Sequence, residues 1–224
     1  MDATNHPHPE GHDHDPQSHF DDRAATWDDN PQHVERASAI AAAIVEAVPL
    51  GPTTRLLEYG AGTGLVSEAL RQHVGPITLA DTSEGMRSVI QSKIDAGALG
   101  EATIWDVDLA TTPPATDDRF DLIVTVMTLH HIVELAPTLE AFCRLLVPGG
   151  HLCIADLELE DGSFHGDGFH GHHGFARAVL TSDLAAAGFD EPDFTTPHRI
   201  ERDDRTYPIF LAVTSPTADA ATTS

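Results

Sequence analysis

The sequence predicts an α/β fold, a doubly wound and mostly parallel sheet with helices on both faces. Three observations predict it. Short apolar runs alternate with helix-like runs from residue 55 to residue 189, the order that βα units joined by right-handed crossovers require. Runs such as "DLIVTVM" are continuously apolar, as burial on both faces of a parallel sheet demands. The first of them runs into "YGAGTG", a turn with glycines at alternate positions 60, 62 and 64.

Taken in order, residues 1–19 are rich in His, Pro and Asp and almost without apolar content. Such a segment cannot bury enough surface to offset its ordering entropy, so a disordered tail is expected. Its histidines, His6, His8, His12, His14 and His19, lack the fixed geometry that a metal site needs. Residues 20–50 read as a helical cap. "FDDRAATWDD" sets Phe20 and Trp27 among acids, and "QHVERASAIAAAIVEAV" repeats apolar residues at helical spacing before Pro49, Gly51 and Pro52 end it. The strands are then "RLLEY", "PITLAD", "ATIWDVDL", "FDLIVTVM", "HLCIAD", "DFTTPHRIE" and "TYPIFLAVT". Helices are expected at "GLVSEALRQHV", "EGMRSVIQSKIDAG" and "LAPTLEAFCRLLVPGG", the last closed by Pro148 and Gly149. One more is expected at "TSDLAAAGF", capped by Thr181, Ser182 and Asp183. "ATTPPATDDR" is too short and proline-rich for a helix. Residues 20–214 therefore read as one domain, and 215–224 as a second polar tail.

Composition narrows the function. The chain has 224 residues and a formal charge of −24, from 36 acidic and 12 basic side chains, with Lys93 its only lysine. A surface this negative repels nucleic-acid phosphates and anionic lipids. The reading is a cytoplasmic protein with no nucleic-acid or membrane partner; oligomeric state is left open. No apolar run reaches membrane-spanning length. Cys143 and Cys153 lie in apolar runs and read as buried thiols.

In an open parallel sheet, ligands bind beyond the carboxyl ends of the strands, where strand order reverses. The turn after Tyr59 sits there. Its G-x-G-x-G spacing is not the G-x-G-x-x-G of dinucleotide sites, and Leu65 and Val66 stand where a phosphate loop needs Lys and Ser/Thr. Glu58, two residues ahead of Gly60, suits a ligand that carries an amino group and no phosphates.

"LLEYGAGTG" resembles motif I of the class I S-adenosylmethionine-dependent methyltransferases. The resemblance continues through "ADTSEGM", "WDVDL", "FDLIVTVMTLHHI" and "LLVPGGHLCIAD" and covers residues 20–214. It is nearest to the small-molecule enzymes of the ubiquinone/menaquinone biosynthesis group. It implies a Rossmann-like domain whose seven-stranded sheet has an antiparallel last strand. It also implies S-adenosylmethionine as cofactor, with S-adenosylhomocysteine as product. By the same resemblance Gly60, Ala61, Gly62 and Gly64 lie along the methionine part of the cofactor, and Glu58 orients the loop and the amino group. Asp81 would accept from the ribose hydroxyls, with Thr82 and Met86 flanking the adenine; plain helix packing is the other reading of Met86. Asp108 would accept from the adenine amino group and the Leu109 backbone would meet the ring. Asp106 competes for that role but is expected to lie within the strand. Val126 and Met127 would line the methionine side.

Methyl transfer from a sulfonium needs alignment more than acid–base help, so the fold itself dictates no universal catalytic residue, and the candidates lie beyond the fourth and fifth strands. They are His131, with His130 beside it, in "TLHHI", and His165 with His172 or His173 in the substrate-side loop 157–175, as bases or recognition groups. Ordinary polar packing at a helix start is the other reading for His130 and His131. The spacing of His170, His172 and His173 matches no standard metal frame, so no metal site is expected. Arg23 and Trp27 stand at the cofactor or substrate boundary if the cap closes over the site; simple docking of an apolar helix is the other reading. The acceptor is expected to be a small molecule. "TVMTLHHI" lacks the N/D-P-P-Y/F/W motif of adenine-methylating DNA enzymes, and Asp156 alone does not make the acid set of metal-dependent catechol enzymes. A non-catalytic S-adenosylmethionine-binding module is the second reading, and an NAD(P)-dependent oxidoreductase a third.

Overall fold

The computed structural model describes residues 16–112, 116–166 and 168–218, with the side chains of 16–19 left out of account. The expected tail 1–19 thus lies mostly outside the described residues, as do residues 219–224 of the second tail. Helix α1, Pro16–Arg23, crosses the boundary expected at residue 19. A 3-10 turn, Ala24–Asp29, leads to α2, Pro31–Ala47. Asn30 caps α2 by accepting from Gln32 N, and Pro31 occupies the first helical position, where its missing N–H costs nothing.

The sheet has seven strands in the order β3-β2-β1-β4-β5-β7-β6. They are β1 Leu56–Tyr59, β2 Ile77–Ala80, β3 Thr103–Trp105, β4 Phe120–Val126, β5 Leu146–Leu157, β6 Asp193–Arg202 and β7 Arg205–Thr214. Strands β1 to β5 pair in parallel, and β7 runs antiparallel to both β5 and β6. Between them stand α3 Leu65–Leu70, α4 Glu84–Asp95, α5 Leu135–Leu145 and α6 Arg177–Ala186. The chain winds outward from β1 to β3, then returns to the other side of β1 as β4. Strand order therefore reverses between β1 and β4, which is where the ligand crevice of such a sheet opens.

Neighbouring strand residues face opposite layers. Leu56, Leu122, Val124 and Cys153 pack with α2 and α3 through Ile40, Ile44 and Leu70. Leu57, Ile123, Leu152 and Ile154 pack with α5 and α6 through Leu139, Phe142 and Leu180. Period-two alternation thus feeds two separate cores, so the central strands are mostly apolar, with Glu58 and Thr125 among the buried polar exceptions. Cys153 is fully buried, which pushes its thiol up to about 12, while Cys143 is half-buried; both are free. Among the described residues no helix is long and apolar enough to cross a membrane.

Several boundaries differ from expectation. Helix α5 stops at Leu145, and "LVPGG" opens β5 instead of closing the helix. Helix α6 begins at Arg177 with no side-chain cap, so Thr181, Ser182 and Asp183 are interior; burial of Leu180 and Leu184 decides the helix where capping chemistry does not. Strand β3 ends at Trp105, leaving Asp106 beyond it rather than within it. The described residues between β3 and β4 form no helix, and residues 215–218 are held to the domain by a Phe189–Pro216 bridge and the Thr217 N–Gly188 O bond of 2.8 Å.

Candidate functional site

At the end of β1 the amides of Gly60 and Ala61 both donate to Ala80 O, at 2.8 and 3.0 Å. This folds the turn toward β2. All three glycines have positive φ, and two of them also stand where no side chain fits. A Cβ at Gly60 would lie 2.2 Å from Thr128 Cγ2, and one at Gly64 would lie 2.9 Å from Leu79 Cδ2. Thr128, just past β4, donates from Oγ1 to Gly60 O at 3.2 Å. It closes the turn from the neighbouring strand, and the spacing of the glycine motif carries no sign of it.

The acids divide into two roles. Asp81, one residue past β2, accepts from Gly62 N through one oxygen at 2.7 Å and from Ser83 N through the other at 2.9 Å. Burial raises its pKa, against the lowering effect of those two amides. Thr82 is half-buried beside it. Glu58 is buried, and its Oε2 accepts from Ser67 N at 2.9 Å and from the Ser67 hydroxyl. It therefore ties the exit of the turn to α3. Burial raises its pKa to about 7, while the Ser67 contacts oppose the shift. Met86 is 1% exposed, with its amide on the Ser83 cap, and sits as a packed residue of α4.

Past β3, Asp108 accepts from Ala110 N and Thr111 Oγ1, both at 3.0 Å, and lies 3.4 Å from the Tyr59 hydroxyl. The Leu109 amide donates to Tyr59 Oη at 3.1 Å, so the tyrosine already occupies that donor. Burial, then Asp108, raises the Tyr59 pKa. Tyr59 thus positions the Asp108 turn from inside β1, a role that spacing alone does not reveal. Asp106 pairs with Arg87 at 3.0 Å on the surface. Val126 ends β4, and Met127 follows with φ +54, a strained value for a side chain with a Cβ and a frequent mark of functional loops.

The cap lies across this end of the sheet. Asp21 accepts from Ser83 Oγ at 2.5 Å and Gly85 N at 2.9 Å, contacts that lower its pKa. Thr63 Oγ1 donates to Asp28 at 2.5 Å, and Lys93 bridges Asp28 and Glu68 at 2.7 and 3.0 Å. The Arg23 guanidinium sits 5.4 Å over the Trp27 ring. Phe20 meets the His131 ring edge-on at 5.3 Å, so the cap touches both the glycine turn and the histidines.

The histidines gather from two segments. His130 and His131 lie in the 3-10 turn after β4, and His165 arrives from the loop after β5. Ring centroids are 4.1 Å apart for His130–His131, 4.9 Å for His130–His165 and 5.6 Å for His131–His165. Asp156, in β5 beside the end of β4, lies 2.6 Å from His130 Nδ1, with both side chains buried. Phe169 stacks on His165 at 3.8 Å. Burial, then His130, holds the His165 pKa down to about 4, so the ring is neutral at physiological pH.

Of the expected catalytic histidines, His131 and His165 meet and His172 does not join them. His172 donates its backbone N–H to His130 O at 2.7 Å, while its ring lies 3.2 Å from Val133 O and packs on Phe175. Gly171 allows this crossing, since a Cβ there would lie 2.1 Å from His130 O. His130 and Asp156 form the buried pair that sequence reasoning did not join. The signal was present in the parallel register of β4 and β5, which sets Val126 opposite Ala155 and so brings the residues just after them together.

Comparison with known proteins identifies the family. A family model described as "Methyltransferase domain" matches residues 32–191. The biotin biosynthesis bifunctional protein BioCD of Bordetella avium is 30% identical over 143 residues, covering 63% of this chain and 30% of that protein. The demethylmenaquinone methyltransferase of Clavibacter sepedonicus is 34% identical over 103 residues, 46% of this chain and 41% of that protein. The chain thus spans less than half the length of these relatives. The crystal structure of the N-methyltransferase NodS from Bradyrhizobium japonicum WM9, in complex with S-adenosylhomocysteine, shares the fold. It has a TM-score of 0.69 at 19% identity, covering 90% of this chain and 99% of that one. With its glycine turn, its two strand-end acids and a family match over most of its length, the chain belongs to the methyltransferase domain family, of the class I S-adenosylmethionine-dependent type.

Proposed function

We propose that the protein transfers a methyl group from S-adenosylmethionine to a small-molecule acceptor. The observation that carries the reading is the arrangement of Asp81. Each carboxylate oxygen accepts one backbone N–H, from Gly62 and from Ser83, and retains lone-pair capacity toward the crevice for a pair of vicinal hydroxyls. Room for the rest of the cofactor is available along the turn at Gly62, where an added Cβ would meet nothing within 4 Å. Asp108 lies across the strand ends as an acceptor for an amino group.

The bound cofactor supplies an activated methyl on a positive sulfur. The chain's part is to hold donor and acceptor in line and to exclude water. The glycine turn and Asp81 fix the donor end. The cap, anchored by Asp21 and Asp28, covers it. The acceptor side is the cluster of His131 and His165 with Phe164 and Phe169 around it; His172, turned away, acts through its backbone in holding the loop. A net charge of −24 and the ring-lined acceptor face favour a small molecule over nucleic acid. The demethylmenaquinone methyltransferase among the relatives is named for such an acceptor.

Calorimetric titration of the full chain with S-adenosylmethionine and S-adenosylhomocysteine, with NAD as control, tests the reading. Binding of the first two alone is expected. Binding of NAD, or of none, would overturn the cofactor assignment. Binding without transfer to any acceptor in a screen would leave a binding module.

A further inference from the structure

We infer that His130, His131 and His165 form a binding site for one divalent transition-metal ion of the zinc class. Three observations carry it, and none depends on methyl transfer.

The first is convergence. One ring nitrogen from each histidine lies within 4.8 Å of the others. A tetrahedral ion with bonds of about 2.0–2.1 Å needs such nitrogens about 3.3 Å apart. The three rings therefore need only a small inward movement to share one ion. His165 is flanked on its loop by Gly162, Gly166 and Gly168, the residue type with the widest choice of backbone conformation.

The second is the Asp156–His130 pair. A metal-binding imidazole characteristically has its other nitrogen held by a carboxylate, which fixes the tautomer and aims the free nitrogen. Asp156 holds Nδ1 of His130 at 2.6 Å, and both side chains are no more than 2% exposed. The Leu157 amide donates to the same Asp156 oxygen at 2.8 Å, and the His130 amide approaches the other at 3.3 Å. The carboxylate is thus built into the end of β5 and is not itself a ligand.

The third is His165 Nδ1, a buried polar atom with no hydrogen-bond partner among the described residues. Burying such an atom unpaired is costly, and an ion beside it would remove the cost.

Three imidazole nitrogens without a direct carboxylate suit zinc-class ions over magnesium or calcium. They also leave an open fourth position, the arrangement of catalytic rather than structural sites. Only the occupant of that position rests on the methyl-transfer reading. If the reading holds, the occupant is an anionic oxygen or sulfur of the acceptor, presented beside the donor.

The test is competition for Zn2+ against a chromogenic chelator, with Co2+ absorption as a second probe, on the full chain without cofactor. One tight equivalent is expected, together with the visible Co2+ bands of a low-symmetry nitrogen site. A variant with His6, His8, His12, His14 and His19 all changed to Ser should keep it. His165→Asn and His131→Asn should each weaken it by more than about 100-fold, beyond the roughly 10–100-fold typical of an outer partner, and Asp156→Asn should fall in that outer range. Melting in chelator shows whether each variant still folds, and His165→Asn, on the loop, reads out the site if Asp156→Asn does not fold. Retention of the tight equivalent in His165→Asn, or its loss in the tail variant, would overturn the site.

Discussion

The glycine turn and the histidine cluster sit at the same end of the sheet but are built in opposite ways. From Glu58 to Ser67 the turn is one continuous stretch, closed by short-range bonds and completed by Asp81 and Thr128. The cluster draws His130 and His131 from one strand end, Asp156 from the next and His165 from a loop. Local backbone geometry makes the first, and strand register makes the second. The turn is therefore legible as a motif, while the cluster exists only once β4 and β5 are paired.

The largest break is expected at Gly60. Gly60→Ala drives a Cβ into Thr128 and forces a positive φ on alanine. Overpacking and backbone strain together should cost about 2–5 kcal/mol, read by denaturant unfolding. Adding Thr128→Gly should recover the steric part and leave the φ part. A double variant no more stable than Gly60→Ala would place the closure of the turn elsewhere.

Glu58 tests the turn through pH. Its folded pKa is raised to about 7 from 4.5, so its stabilising contribution is full below pH 4.5 and is lost as pH rises through 7. Glu58→Gln keeps an acceptor for Ser67 and removes the titration. The stability of Glu58→Gln relative to the parent should therefore rise by about 3 kcal/mol across that window, at about 1.4 kcal/mol per pKa unit. Parallel stability–pH curves for the two proteins would show that the carboxyl does not titrate there.

A crossed pair separates the two regions. Asp81→Ala should weaken S-adenosylhomocysteine binding by roughly 10–100-fold, as loss of charge-assisted bonds implies, and leave the histidine cluster in place. His165→Ala should leave that binding within about twofold and lower turnover about tenfold or more, a typical scale for lost positioning or proton transfer. Calorimetry and a single-turnover assay read the two. If either variant moves both quantities together, the regions are one unit.

The smallest effect is expected at Lys93. It joins Asp28 of the cap to Glu68 of α3 near the surface. Lys93→Met should cost at most about 1 kcal/mol, visible as a loss of salt dependence in thermal unfolding. A larger cost would mean that the cap is held chiefly by charge.

The amino-acid order by itself determined the strand–helix alternation, the two-faced burial of the strands, the glycine turn and the acids Asp81 and Asp108. These rest on periodicity, on glycine at a turn that must take positive φ, and on position one or a few residues beyond a strand. Tertiary structure alone decided that Glu58 faces Ser67, that Tyr59 occupies the Leu109 amide, that Thr128 makes Gly60 obligatory and that His172 turns away while His130 joins Asp156. Apart from the Glu58–Ser67 bond, which spans the glycine turn, each is a contact between residues far apart in the chain. The physical reason is that side-chain type sets what a residue can bond to, while strand register and loop crossing set what comes within bonding distance.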